Sequence, residues 1–168
     1  MVSSTRQVIQ GMDALQTELR RLSTLRLERI AKPIAEQMVT STKQRFIEQH
    51  DPQGNPWTPL SPRTVAKRLG GSKAYTKKGQ LRKSAVRRMA AMKILIDTAD
   101  LMNSIQWNVK GGQVAWGTNK DYAKVQNFGG PAGRGLAVNI PARTFMGISS
   151  EDQDYIIDVV TRHVSGGS

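Results

Sequence analysis

Cysteine is absent from the 168 residues, which excludes a disulfide framework and a thiolate metal site. Histidine is nearly absent: His50 and His163 stand far apart, outside any metal-ligand spacing. No serine sits in a G-x-S-x-G elbow, and no glycine run has the GxxxxGK[ST] order of a phosphate loop. Aromatic residues make up only 5% of the chain, so the core is expected to rest on Leu, Ile, Val, Met and Ala. No stretch approaches the ~20 apolar residues that a bilayer span needs. The opening MVSSTRQVIQGMDALQ lacks an apolar run of signal-peptide length. These absences predict a soluble, cytoplasmically made protein that is not an enzyme and has no cofactor, metal or membrane partner. The length fits one domain over 1–168, enough to bury roughly 70% of the unfolded surface.

Acids are missing from one place in particular. Between Pro52 and Ile96 there is no Asp and no Glu, while 11 of the chain's 25 basic residues lie there. Outside it, 14 basic residues face 13 acidic ones, so the net charge of +12 is almost entirely local. Such a charge excess predicts a polyanionic partner: nucleic acid, an anionic membrane surface or an acidic protein surface. Its candidate contacts are Arg63, Lys67, Arg68, Lys73, Lys77, Lys78, Arg82, Lys83, Arg87 and Arg88.

Around this block the patterning is α+β. Val8, Met12, Leu15, Leu19 and Leu22 repeat at heptad-like spacing and predict a helix over 5–30, read as packing on its own domain rather than as a coiled coil. Pro33 opens a second helix over 33–49, with Ile34, Met38, Thr42 and Phe46 four apart. These N-terminal helices span 5–49. The next stretch, 51–62, holds four of the seven prolines. Trp57 there is read as a plug for the core edge, with a partner anchor as the alternative. Ser61 and Pro62 start a short helix over 63–69. The glycine-rich, basic stretch 70–79 is expected to be mobile, and residues 80–92 are helix-compatible. The whole of 52–96 reads as a long basic insertion or loop segment.

Ile94-Leu95-Ile96 is a possible short strand, and Asp97 and Thr98 offer caps to a helix holding Leu101 and Met102. Asp97 and Asp100 are read as caps rather than catalytic carboxylates, because no further acid, His or Cys joins them. Two β-rich runs around Gly111-Gly112 predict a hairpin over 104–118, with Trp107 and Trp116 a possible cross-strand pair. A helix over 121–128, a plain loop over 129–136 and a third strand over 137–140 follow. Ser150 and Gln153 match a capping box for a terminal helix that places Tyr155, Ile156, Val159, Val160 and His163 on one stripe. The predicted architecture is N-terminal helices packed on a small, mostly antiparallel sheet, with a C-terminal helix and the basic insertion. Residues 97–164 carry the hairpin, the short helix and the C-terminal helix.

Four segments in order resemble the phage virion morphogenesis family. Asp51-Pro-Gln-Gly-Asn-Pro-Trp57-Thr-Pro-Leu60 is similar to its D-x-x-G-x-x-W-x-P-L loop. Leu95-Ile96-Asp97-Thr98-Ala99-Asp100-Leu101, continuing to Ser104-Ile105, resembles L-x-D-T-G-x-L-x-x-S-I. Gly117-Thr118 and Tyr122-Ala123 through Phe128-Gly129 resemble G-T-x-x-x-Y-A-x-I-H-Q-F-G. Ile140-Pro141-Ala142-Arg143-Thr144-Phe145 resembles I-P-A-R-P-F. Ala99 stands where the family has Gly, and Gln126 where it often has His. The resemblance spans roughly 34–164. It implies a structural protein of tailed phages, active in tail completion or head–tail joining at the neck. Its partners would be further copies of itself in a ring of usually six subunits, tail tube or terminator proteins, head connector proteins and packaged DNA. It would be assembled in the host cytoplasm and reside in the virion. Trp57, Leu60, Phe128, Arg143 and Phe145 are the candidate subunit contacts. The alternative is a free, non-sequence-specific nucleic-acid-binding protein that uses the basic segment.

Overall fold

The computed structural model describes Thr17 and residues 27–165. Most of the predicted helix 5–30 lies outside the described residues. The first long element, α1, covers 27–48 without a break. The division expected at Pro33 is therefore corrected. Pro33 sits inside the helix, although an interior proline forfeits a backbone hydrogen bond at a cost of about 3 kcal/mol. The compensation is tertiary. Ala31, Ala35, Met38, Thr42, Arg45 and Phe46 form one buried stripe that straddles the proline. Packing of that face outweighs the local penalty.

Helix α1 ends at Gln49, which takes left-handed φ 66. The chain then turns tightly. The Asp51 carboxylate accepts hydrogen bonds from the N–H groups of Gln53 and Asn55 at 2.9 Å and from the Asn55 side chain at 3.0 Å. Burial alone would raise the Asp51 pKa; these hydrogen bonds outweigh it and hold the carboxyl below its ordinary value. The turn returns Trp57 to α1, where the Trp57 N–H donates to the Gln49 carbonyl at 2.9 Å.

Trp57 enters the main core with Phe46, Leu101, Ile105, Ala123 and Phe145. Phe46 meets Trp57 edge-on at 5.7 Å between ring centroids and Phe145 at 5.0 Å. Three of the nine aromatic residues thus meet here, so the core rests on an aromatic cluster as well as on the expected Leu, Ile, Met and Ala. The core-plug reading of Trp57 matches this packing.

The short helix α4 is Asp100–Asn103. It is not capped by Asp97 or Thr98. Its N-cap is Ala99, at left-handed φ 62 and without a side-chain cap bond, while Thr98 Oγ1 donates to Asp100 at 2.7 Å and Asp97 lies near Arg68. Ile94-Leu95-Ile96 forms no strand; the three residues pack irregularly on the core. A non-glycine residue in the left-handed region costs about 1–2 kcal/mol. Ala99→Gly removes that strain and increases unfolded-chain entropy, for a net gain of about 1 kcal/mol. We expect thermal unfolding to shift up by roughly 2–4 °C; a lowered midpoint would show that the strain is absorbed elsewhere.

The predicted hairpin is present as β1 (Gln106–Lys110) and β2 (Gln113–Gly117), antiparallel, with Trp107 opposite Trp116. Gly111 and Gly112 both have positive φ, 58 and 77, as a two-residue twisted turn requires. A side chain at Gly112 would also strike Leu27 of α1 at 2.9 Å. Helix α5 is Ala123–Phe128. The expected loop after it is partly a strand: β3 (Gly130–Ala132) pairs antiparallel with β4 (Val138–Ile140). This pair makes its own two-stranded sheet and adds no third strand to β1–β2. Pro131 and Pro141 lack the N–H groups that further pairing would use.

The last helix, α6, is Ser150–Ser165. Its capping box lies one residue earlier than predicted. Ser149 Oγ accepts from the Asp152 N–H at 3.1 Å, and the Ser149 N–H donates to the Asp152 carboxylate at 3.0 Å. The same carboxylate pairs with Arg45 of α1 and accepts from Ser41 at 2.9 Å. Arg45 also donates to the carbonyls of Phe145 and Gly147 at 3.1 and 2.9 Å. The class is α+β: helices with two small antiparallel sheets and a C-terminal helix.

Candidate functional site

The basic segment folds into a helical module. Helix α2, Pro62–Leu69, starts at Ser61, whose hydroxyl accepts from the Thr64 N–H at 3.2 Å. It stops at Gly70, φ 102, where a left-handed residue closes the helix. A 3-10 turn, Gly71–Ala74, then leads to α3, Lys83–Ala90. Leu69, Ala74 and Ala85 are buried together, with Val65, Leu81 and Met92 against them. Within residues 70–79, expected to be mobile, the chain adopts this 3-10 turn and then a hydrogen-bonded turn. Thr76 N–H donates to the Gln80 carbonyl at 2.7 Å and Gly79 N–H to the Thr76 carbonyl at 2.9 Å, so Lys77 and Lys78 sit at the tip of a closed turn.

The cations of the segment divide into two groups. Four hold backbone carbonyls. Arg88 donates to Leu69 at the end of α2 at 2.7 Å, and Lys93 donates to Ile47 at the end of α1 at 2.9 Å. Both meet the negative end of a helix. Arg82 donates to Tyr75 at 3.1 Å, and Arg68 to Lys93 at 2.8 Å, with Asp97 3.6 Å from Arg68. The other seven side chains, Arg63, Lys67, Lys73, Lys77, Lys78, Lys83 and Arg87, are exposed and make no hydrogen bond or ion pair among the described residues. Sequence inspection alone does not separate these two groups, because both look like surface charge until the helix ends are placed.

Arg63 and Lys67 lie one turn apart on α2, and Lys83 and Arg87 one turn apart on α3. Unpaired cations on a shared module attract phosphates or carboxylates through charge, without reading sequence. No group of three or more His, Asp or Glu that could hold a metal occurs among the described residues. No described helix is long and apolar enough to cross a membrane.

The predicted subunit contacts separate by burial. Trp57 and Arg143 are 5% exposed and Phe145 is 1% exposed, so all three are enclosed by this chain. Trp57 Nε1 donates to the Thr144 carbonyl at 2.9 Å. Arg143 donates to the carbonyls of Thr58 and Pro59 at 2.8 and 3.0 Å, pinning the proline-rich loop. Burial, with Arg68 nearby, lowers the Arg143 pKa. Phe128 is 72% exposed, and Leu60 is half-buried on the wall of a cleft of about 630 Å³ that Arg68 and Arg143 also line.

Asn127 was not singled out by the sequence, yet it joins two of the motif segments. Its buried side-chain oxygen accepts from the N–H groups of Phe145 and Met146 at 3.0 and 2.9 Å. Gly129 is held beside them: an added Cβ would lie 2.8 Å from the Ala142 nitrogen. The four motif segments are thus neighbours in space around one core.

The chain is 42% identical over 64 residues to the Mu-like prophage FluMu G protein 2 of Haemophilus influenzae. That match covers 38% of this chain and 46% of the relative, so the chain spans about half the length of the curated relative it matches. No solved structure matches it. The model of the phage virion morphogenesis family matches residues 4–165, which include the helices, the basic module and all four motif segments. The chain belongs to the phage virion morphogenesis family.

Proposed function

We propose that this protein is a non-enzymatic structural component of a tailed phage that acts in tail completion or head–tail joining at the neck. The carrying observation is the family match over 4–165, which leaves little of the chain outside a virion-assembly family. In this reading copies of the chain form a ring around the DNA channel, probed most simply as a hexamer. The ring lies at the head-proximal end of the tail, between tail tube or terminator proteins and head connector proteins. The exposed cations of the α2–α3 module, unpaired among the described residues, give it a basic surface for packaged DNA or for acidic groups on a neighbouring copy or ring.

The test is negative-stain microscopy of a lysate from a phage with a stop codon in this gene. Filled heads beside separate tails of normal length are expected. Tails of uncontrolled length would move the role to ending tail growth, and intact infectious particles would remove the virion role. Duplex binding that falls steeply with salt would assign the cationic face to DNA; no binding at low salt would assign it to protein.

A further inference from the structure

Two helix faces of opposite charge are left uncovered. On α3, Val86 and Met89 are 46% and 45% exposed. Lys83 and Arg87 border them on the outward side, and no acid among the described residues engages either. On α6, Ile157 and Val164 are 63% and 74% exposed, two turns apart. Asp154 and Asp158 border them one turn apart. Asp154 has no partner among the described residues. Asp158 bridges to Arg162 of its own helix, an exposed pair that a better-placed cation displaces.

Each face is an apolar centre with a charged margin, and the margins are opposite in sign. Within one chain the cations gather in the α2–α3 module, whereas Glu151, Asp152, Asp154 and Asp158 place four of the 13 acids on α6. We infer that α3 of one copy docks on α6 of the next, with Val86 and Met89 against Ile157 and Val164, and Lys83 and Arg87 against Asp154 and Asp158. This rests on the homo-oligomeric reading above and names its joint. Because the two faces are different patches of one chain, the contact is head-to-tail, the kind that generates rings when the rotation closes. A nucleic acid suits this face less well. Phosphates gain nothing from Val86 and Met89, whereas Lys77 and Lys78 at the turn tip remain free for them.

The test uses two charge-reversed full-length proteins, Lys83→Glu with Arg87→Glu and Asp154→Lys with Asp158→Lys, followed by sedimentation velocity. Each alone places like charges across the joint and should self-associate about 100-fold more weakly than wild type. Mixed one to one, the acidic α3 of the first meets the basic α6 of the second, and the remaining faces are already complementary. Assembly should return in the mixture, which also shows that both variants are folded. If both variants assemble as wild type does, the joint is wrong while the oligomeric reading stands. The joint is equally overturned if each stays monomeric in the mixture with wild-type circular dichroism, or if the α3 variant loses only duplex binding. A wild-type chain that remains monomeric removes the joint and the oligomeric reading together.

Discussion

Asp152→Ala lowers stability by about 3–5 kcal/mol, the usual cost of breaking a buried ion pair by removing one partner. The residue is 1% exposed, and its carboxylate is shared by Arg45, Ser41 and the Ser149 N–H. Its loss leaves the Arg45 guanidinium buried without a counter-charge and opens the first turn of α6. For a chain of this size the unfolding midpoint should fall by roughly 6–20 °C. The double variant Arg45→Met with Asp152→Leu should recover part of that loss, because no lone charge remains. It cannot recover all, since the Phe145 and Gly147 carbonyls lose their donor. A single-variant loss below about 1 kcal/mol would mean that the site is hydrated and the pair expendable.

Trp57→Ala has a comparable expected effect, about 3–5 kcal/mol, from lost burial and the cavity left beside Phe46. The Thr144 carbonyl also loses its hydrogen bond. Trp57→Phe keeps most of the ring and should cost less, with about 1 kcal/mol assigned to that bond. Urea unfolding followed by circular dichroism separates the cases. A Trp57→Ala protein with wild-type unfolding but failed self-association would return Trp57 to the role of interface anchor.

Local signals carried much of the fold. Gly111-Gly112 between β-rich runs gives the hairpin, and Ser61-Pro62 gives the start of α2. Tertiary effects account for the misplaced elements. Pro33 carries a strong break signal, but the buried stripe of α1 on both sides overrides it. Ser150-x-x-Gln153 satisfies the capping-box pattern, but Asp152 is already committed to Arg45, so Ser149 becomes the partner. Asp97 has a cap's composition, yet the chain arrives at α4 through left-handed Ala99. That position is one at which the resemblance noted a glycine, and its backbone supplies the physical reason.

The site was legible as charge and illegible as geometry. An acid-free stretch is visible in the letters alone. Which cations hold carbonyls depends on where the helices end, and that follows from Leu69, Ala74 and Ala85 packing together. The opposed faces of α3 and α6 were also hidden. The stripe read for α6, Tyr155, Ile156, Val159, Val160 and His163, leaves out Ile157 and Val164, which lie off it and exposed.

The ion pair between α1 and α6 also sets an order in time. Arg45 must wait for a carboxylate 107 positions later. At ordinary rates of synthesis that interval lasts roughly 5–20 s. During it α1 carries an uncompensated cation on the face that will become the core, beside Phe46 and Met38. That charge discourages the nascent helix from burying its stripe against wrong partners. The arrival of Asp152 removes the penalty, so the element that seals the core also licenses it to close.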